Sequence, residues 1–442
     1  MASTFYIPVE VFKREFTSKL TLAVFLSLKG ARVIIGHRWY VIGNAVKNST
    51  KGDFFINMHT LTPEDKQQFK TLFDRGVNFI GVEEESVFDS LNYSDQIRIR
   101  KQELGFYNYK LWLCWGKRDY LHLVEKFGDT VNFANIGTPR SALWGKFGEK
   151  VFESQTSKKI KPDNGDFILI ATSFYIKETK KHSEAINKLN SKNSEYDIDS
   201  FSESISKNTD DDKFELLREL ILEILSKTNL NILVRPYTIE DKIYAKNLKK
   251  LSKRIRIDNS LDATPLILSC KALLHMGSTV GIESRCALKN TISLENFLNP
   301  KIKFPKLSSL LSHQPNDIDQ VIECILRKKA HKKSVLKFVT NPGGIEFYQK
   351  FIEQVEKIDK NAFSGSLMTN DTNYLKRKMI YKLRTFLVRG KIYRYDLVKR
   401  PPIGKRRTRE LLVSILNGFE AEHCSLKLRK IERDTYVLEQ LI

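Results

Sequence analysis

Disulfide chemistry is missing from this chain. The five cysteines, Cys114, Cys270, Cys286, Cys324 and Cys424, are scattered, and no CxxC pair occurs among them. That usage excludes a cystine framework or a thiolate zinc site, and fits reduced, structural cysteine in a cytosolic protein. Long apolar runs are missing as well. The longest, 20–28, is followed by Lys29-Gly30 and falls far short of the ~20 residues that span a bilayer. The start, Met1-Ala2-Ser3-Thr4, has no basic n-region and no cleavage site, so no secretion signal is expected. No Asp-x-Asp pair sits on a strand end, because Asp210-Asp211-Asp212 falls in a polar stretch, and no His/Cys cluster occurs. Neither a metal nor a cofactor is expected.

Acidic charge is in deficit. There are 74 Lys and Arg against 52 Asp and Glu, a formal net charge of +22. Such an excess implies an anionic partner surface, either nucleic acid or anionic lipid. A length of 442 residues with 41% hydrophobic content is enough for two domains with real cores.

Short apolar segments alternate with helical patterns. Strands are predicted at 4–11, 31–35, 53–57, 77–82, 110–114 and 131–136, with helices at 12–28 and 62–74. A polar, turn-rich segment at 154–165 marks a domain boundary. A second alternating unit follows, with strands at 166–171, 231–234, 254–257, 272–274 and 290–294 and helices at 213–227, 240–251 and 263–268. Residues 177–212 read as a polar insertion. Alternation of this kind means βαβ units and parallel sheets, whose ligands collect at the carboxyl ends of the strands.

The stretch His275-Met276-Gly277-Ser278-Thr279-Val280-Gly281-Ile282-Glu283 runs from a strand through a small polar turn into a helix. A helix start with outward N–H groups and nearby hydroxyls suits a phosphate. Glu283, four residues past Thr279, lies on the same face and suits the paired hydroxyls of a ribose. The bland alternative is an ordinary N-cap with a solvated acid. In the first half, Glu83-Glu84-Glu85-Ser86 follows a strand. Crowded carboxylates repel, which raises the pKa of one if the turn is buried, and a carboxylate in a cleft is a candidate general base. A solvated acidic turn is the alternative. Gly137-Thr138-Pro139-Arg140 is a tight turn that presents Arg140 either to the cleft or to solvent. Two doubly wound domains facing across a cleft, with the phosphate site on the second, describe the GT-B architecture.

These stretches, taken in order, resemble the bacterial surface carbohydrate biosynthesis protein family, GT-B glycosyltransferases related to Kdo and polysialic acid transferases. The matching residues are Ile7-Pro8-Val9-Glu10-Val11 with Arg14-Glu15-Phe16 and Leu20; Gly81-Val82-Glu83-Glu84-Glu85; Cys114-Trp115-Gly116; Gly137-Thr138-Pro139-Arg140; Arg235-Pro236; and His275-Met276-Gly277-Ser278-Thr279 with Glu283. They cover roughly residues 4–300. The resemblance implies a transferase using a nucleotide-sugar donor, a CMP-activated ulosonic acid such as Kdo, in surface polysaccharide synthesis, with a glycan or lipid-linked glycan as acceptor. It implies Glu84 or Glu85 as the catalytic base. Donor binding would fall to Arg235, Tyr237, His275, Gly277, Ser278, Thr279 and Glu283. Glu10, Arg140 and Ser173 are assigned to the acceptor or donor cleft. Tyr237 stands where the family carries a histidine, and Ser86 where it carries a glycine. A tyrosine donates a hydrogen bond but is not cationic near neutral pH, which weakens charge stabilisation of a leaving CMP or signals a CDP- or UDP-linked donor.

Between 374 and 409 there are fourteen Lys and Arg against one acid, Asp396. Leu375, Met379, Ile380, Leu383, Phe386 and Leu387 form an apolar helical stripe within it. A basic amphipathic helix is the pattern of an interfacial anchor on an anionic inner leaflet, and the alternative is a helix packed on the protein core. No nucleic-acid-binding module is recognised, so a non-catalytic membrane or nucleic-acid binder is the reading outside enzymes. The expected organisation is a Rossmann-like acceptor domain at 1–154, a Rossmann-like nucleotide-sugar domain at 166–360, and a basic helical extension at 361–442, in a cytoplasmic protein peripheral to the inner membrane face.

Overall fold

Short runs rich in Phe, Ile, Leu and Val cannot leave either face in water, so they pair side by side and are covered. The computed structural model describes residues 3–57, 63–82, 109–128, 131–155, 166–174, 207–237, 242–258, 262–298, 307–327, 339–363, 405–419, 426–432 and 435–440. The chain divides into two units. Unit 1 takes residues 1–160, 262–268 and 332–442, and unit 2 takes 161–261 and 269–331.

Unit 1 is built on eight strands: β1 Thr4–Val9, β2 Arg32–His37, β3 Phe54–Asn57, β4 Asn78–Val82, β5 Tyr109–Leu113, β6 Asn132–Ala134, β12 Leu426–Glu432 and β13 Thr435–Gln440. They form one sheet of order β12-β13-β2-β1-β3-β4-β5-β6. β1 to β6 run parallel. The helix Phe12–Leu28 lies where its periodicity places it and packs against β1 and β2. An aromatic cluster ties four helical segments together: Tyr348 meets Phe25 at 5.4 Å and Phe419 at 5.3 Å, and Phe147 meets Phe419 at 5.0 Å between ring centroids.

The end of the chain differs from the expected helical extension. Lys405–Gly418 is helical, but β12 and β13 form an antiparallel hairpin whose second strand pairs with β2, Val437 opposite Ile34 and Leu438 opposite Val33. The consecutive apolar residues Tyr436, Val437 and Leu438 are all buried there, covering a sheet edge that would otherwise expose unpaired backbone groups. Most of the basic stretch 374–409 and most of the insertion 177–212 lie outside the described residues. The helix Lys207–Lys227 starts earlier than its apolar face suggests.

Unit 2 carries five strands: β7 Phe167–Ala171, β8 Asn231–Arg235, β9 Ile255–Ile257, β10 Ala272–His275 and β11 Asn290–Ser293. They form a parallel sheet of order β11-β10-β7-β8-β9. Its core joins Ile168, Ile170, Leu217, Ile221, Val234 and Leu274. Two α/β units with mostly parallel sheets are what the GT-B expectation requires of each half. Among the described residues, no helix is long and apolar enough to cross a membrane.

At the carboxyl end of β1 a buried ion pair fixes the first strand–helix turn. Glu15 is 0% and Lys19 1% exposed, 3.2 Å apart. Lys19 Nζ also donates to the Pro8 carbonyl at 2.7 Å, Arg14 donates to Glu15 Oε1 at 2.7 Å, and the Glu10 N–H donates to Glu15 Oε2 at 3.1 Å. Burial pushes the Glu15 carboxyl up, but the Lys19 and Arg14 charges and the two hydrogen bonds outweigh it and hold it below the usual carboxylate range. The stability Glu15 contributes is therefore full above its unfolded pKa of about 4.3 and is lost as pH falls through its lower folded value. Glu15→Gln is expected to flatten the acid limb of a stability-versus-pH curve measured by urea unfolding. Glu15→Ala, which strands a buried lysine, is expected to cost about 3–5 kcal/mol at pH 7.

Candidate functional site

The strand ends of unit 2 gather polar residues in one row. His275 on β10, Ala171 on β7 and Arg235 on β8 are register partners, so neighbours stand about 4.8 Å apart. The chain leaving each strand supplies Gly277-Ser278-Thr279, Thr172-Ser173 and Pro236-Tyr237 at the carboxyl edge. The Thr172 N–H donates to the Arg235 carbonyl at 3.2 Å and joins two of these exits. Ser173 is exposed, Tyr237 is 54% exposed, and Arg235, Ser278 and Thr279 are half-buried. Seven residues expected at a donor or cleft site, Ser173, Arg235, Tyr237, His275, Gly277, Ser278 and Thr279, thus lie along one sheet edge. Glu283 follows one turn into the Val280–Cys286 helix and is 1% exposed.

The turn is held from beneath. His275 is 0% exposed. Its Nδ1 accepts the Ser278 N–H at 3.3 Å, and its Nε2 stands 2.9 Å from Ser312 Oγ. Ser312 Oγ gives its own hydrogen to the Ser308 carbonyl at 2.7 Å, so the histidine must be the donor in that pair. This pattern selects the Nε2–H tautomer and makes His275 a support of the turn. Gly281 allows the ring in: a Cβ there would come within 2.6 Å of His275 Nε2.

Glu295, which the residue pattern does not single out, supports the other side. Ser309 Oγ donates to its carboxylate, Ser293 Oγ donates to Ser309 Oγ at 2.9 Å, and the Glu295 N–H donates to Ser293 Oγ at 3.2 Å. Gly277 sits against this group at φ +65°, and a Cβ there would meet Glu295 Oε1 at 2.6 Å. The Ser278 and Thr279 hydroxyls, by contrast, make no hydrogen bond within the described residues. A rigidly held turn with uncommitted hydroxyls is suited to receive an oxyanion or a sugar hydroxyl.

Unit 1 places its candidates differently. Arg140 is 7% exposed and lies over the Trp144 ring at 5.6 Å. Its turn is filled by the chain itself: the Thr138 N–H donates to Ser141 Oγ at 2.9 Å, Ser141 Oγ reaches the Asn341 carbonyl at 3.0 Å, and the Asn341 N–H donates to the Trp115 carbonyl at 2.6 Å. Glu10 lies at the end of β1, 3.6 Å from Arg38. Glu84, Glu85 and Ser86 lie outside the described residues. Among the described residues no group of three His, Cys, Asp or Glu side chains could hold a metal.

No protein-family model matches the chain, and no curated protein sequence matches it. Solved structures with a similar course of the chain include the UDP-GlcNAc 2-epimerase from Neisseria meningitidis bound to UDP-GlcNAc, at 12% identity and TM-score 0.46 over 82% of this chain and 100% of that one. The wall teichoic acid polymerase TagF aligns at 10% identity and TM-score 0.44 over 88% and 90%. A glycosyltransferase from Rickettsia africae aligns at 14% identity and TM-score 0.41 over 81% and 99%.

Gly277→Ala combines a left-handed backbone with a contact against a buried carboxylate. It is expected to destabilise the protein by about 1–3 kcal/mol, read as a lowered urea midpoint with an unchanged slope. A midpoint equal to that of the unmutated protein would show that the turn is not held by Glu295.

Proposed function

We propose that unit 2 binds a nucleotide-sugar donor at the carboxyl edge of β10, β7 and β8, and that the protein is a glycosyltransferase of surface polysaccharide synthesis. The observation that carries this reading is the held turn at 275–281, with the Ser278 and Thr279 hydroxyls uncommitted among the described residues, beside the exits of two neighbouring parallel strands. Ligands of parallel sheets collect at such edges, and a turn fixed before the ligand arrives loses little freedom on binding. In this reading Ser278 and Thr279 contact the donor phosphate, Arg235 and Tyr237 flank it, and Glu283 reads the ribose. A carboxylate of Glu84 or Glu85 takes the proton from the acceptor hydroxyl. Glu10, Ser173 and Arg140 are assigned to the acceptor or donor cleft in the same proposal, although the Arg140 turn is filled by Asn341.

The donor we infer is a CMP-linked ulosonic acid such as Kdo, and the acceptor a glycan or lipid-linked glycan. The basic stretch 374–409 would hold the enzyme at the anionic inner face of the cytoplasmic membrane. Tyr237 favours a second reading, in which the donor is CDP- or UDP-linked, because an uncharged tyrosine offers a single leaving phosphate less charge than a histidine would. Calorimetric titration of the full chain with CMP, CDP, UDP and GDP separates the two. A ligand at a hundred times its dissociation constant also raises stability by about 2.7 kcal/mol, visible as a thermal shift. Selective binding of CMP, weakened in Ser278→Ala/Thr279→Val, is the expected result. Selective binding of CDP or UDP would replace the donor, and no binding of any nucleotide would refute the donor site.

A further inference from the structure

Three of the four tryptophans, Trp112, Trp115 and Trp144, are at most 1% exposed, whereas Trp39 is 49% exposed. Trp39 stands in the first turn of the Arg38–Asn48 helix, which leaves the carboxyl end of β2. That helix start is held by packing. The His37 ring lies 5.2 Å from Tyr40 and 6.5 Å from Phe12. The Arg38 guanidinium lies over the indole at 5.5 Å and stands 3.6 Å from the half-buried Glu10 carboxylate at the end of the neighbouring strand β1. A broad apolar ring is thus kept in water beside a guanidinium and a carboxylate, at the edge of a parallel sheet where ligands collect.

An exposed aromatic is ordinary by itself, but the helix beyond it is not. Gly43 follows Trp39 by four residues, on the same face. Glycine weakens a helix interior because it has the most backbone freedom to lose, and no packing reason for it exists among the described residues. Gly43 is exposed, its φ is not positive, and a Cβ there would meet nothing within 4 Å. Gly277 and Gly281, by contrast, each make room for a neighbouring side chain. Lys47, also exposed, follows four residues later. Trp39, Gly43 and Lys47 form a stripe of about 12 Å at 1.5 Å per residue, apolar at one end, bare in the middle and cationic at the other.

A protein partner would bury about 800 Å² on each side, and Trp39 is the one large apolar side chain exposed on this helix. A sugar ring asks for less. Its C–H face lies flat on an indole, and the hydroxyls at its rim both donate to a carboxylate and accept from a guanidinium. Glu10 balances Arg38, so Lys47 leaves the stripe net positive, which complements an acidic sugar.

We propose that this face of unit 1 is a subsite for an acidic glycan acceptor, with one sugar ring on Trp39 beside Glu10 and Arg38 and the next passing over Gly43 toward Lys47. This rests on the glycosyltransferase reading above and adds where the acceptor is held.

Tryptophan fluorescence of the full chain isolates the site, because acrylamide quenches an exposed indole and the other three are buried. The probes are short oligosaccharides containing uronic or ulosonic acid, their neutral counterparts, and CMP, CDP and UDP as a separate arm. Acidic oligosaccharides are expected to protect Trp39 from quenching. By calorimetry they are expected to bind at least tenfold more weakly to Trp39→Ala and to Gly43→Leu, whereas Trp39→Tyr keeps most of the affinity. Lys47→Gln is expected to lose the preference for acidic over neutral sugars. Gly43→Leu is expected to melt no lower than the unmutated protein; a lower melting point would show that the glycine serves the fold, and would overturn the stripe as a site. If oligosaccharides bind the unmutated protein and the variants alike, glycan binding stands and this face falls. If nucleotides bind and no oligosaccharide does, the donor site stands and this subsite falls. Protection of Trp39 by nucleotides instead of oligosaccharides would also overturn it. If neither class binds, both readings fall.

Discussion

The hydrogen bond from the Ser278 N–H to His275 Nδ1 is the contact on which the proposed site depends. It ties the last residue of β10 to the turn that follows, and it fixes the tautomer that lets Nε2 donate to Ser312. The ring can take that position only because Gly281 has no side chain. On the opposite side Glu295, held by Ser309, presses against Gly277. Buried polar groups of this kind stabilise when each has a partner and are costly when one is removed. The turn is therefore shaped by the body of unit 2, while the Ser278 and Thr279 hydroxyls make no hydrogen bond among the described residues. Such preorganisation is what a site for developing or transferred charge requires.

The two units treat their strand ends in opposite ways. In unit 1 the carboxyl ends of β5 and β6 are closed by the chain's own backbone at Asn341, and Arg140 lies over the Trp144 ring. The end of β1 is fixed by the Glu15–Lys19 pair and its hydrogen bonds. In unit 2 the equivalent edge along β10, β7 and β8 keeps Ser173 and Tyr237 exposed.

Much of this architecture is legible in local patterns of residues. The apolar runs of β1, β3, β4 and β7 and the periodicity of Phe12–Leu28 are local properties, set by which faces must be buried. The Gly-Ser-Thr turn is legible because its residues are consecutive. The supports of that turn are not. Glu295 meets Gly277 only once β10 and β11 pair in register, His275 opposite Ser293, and no spacing along the chain encodes that. The filling of the Arg140 turn by Asn341 is hidden for the same reason, since two hundred residues separate Ser141 from its partner. The closing hairpin is obscured by charge. The apolar stripe from Leu375 to Leu387 extends a helical reading over the whole tail, although Tyr436, Val437 and Leu438 need a sheet edge to cover them.

Hydrogen–deuterium exchange of the full chain, with and without the nucleotide that binds, tests the central claim most directly. The account predicts added protection concentrated in peptides covering 272–286, 171–174 and 235–237, where three neighbouring strand ends meet. Protection confined to other parts of the chain, with those three segments unchanged at saturating nucleotide, would contradict it.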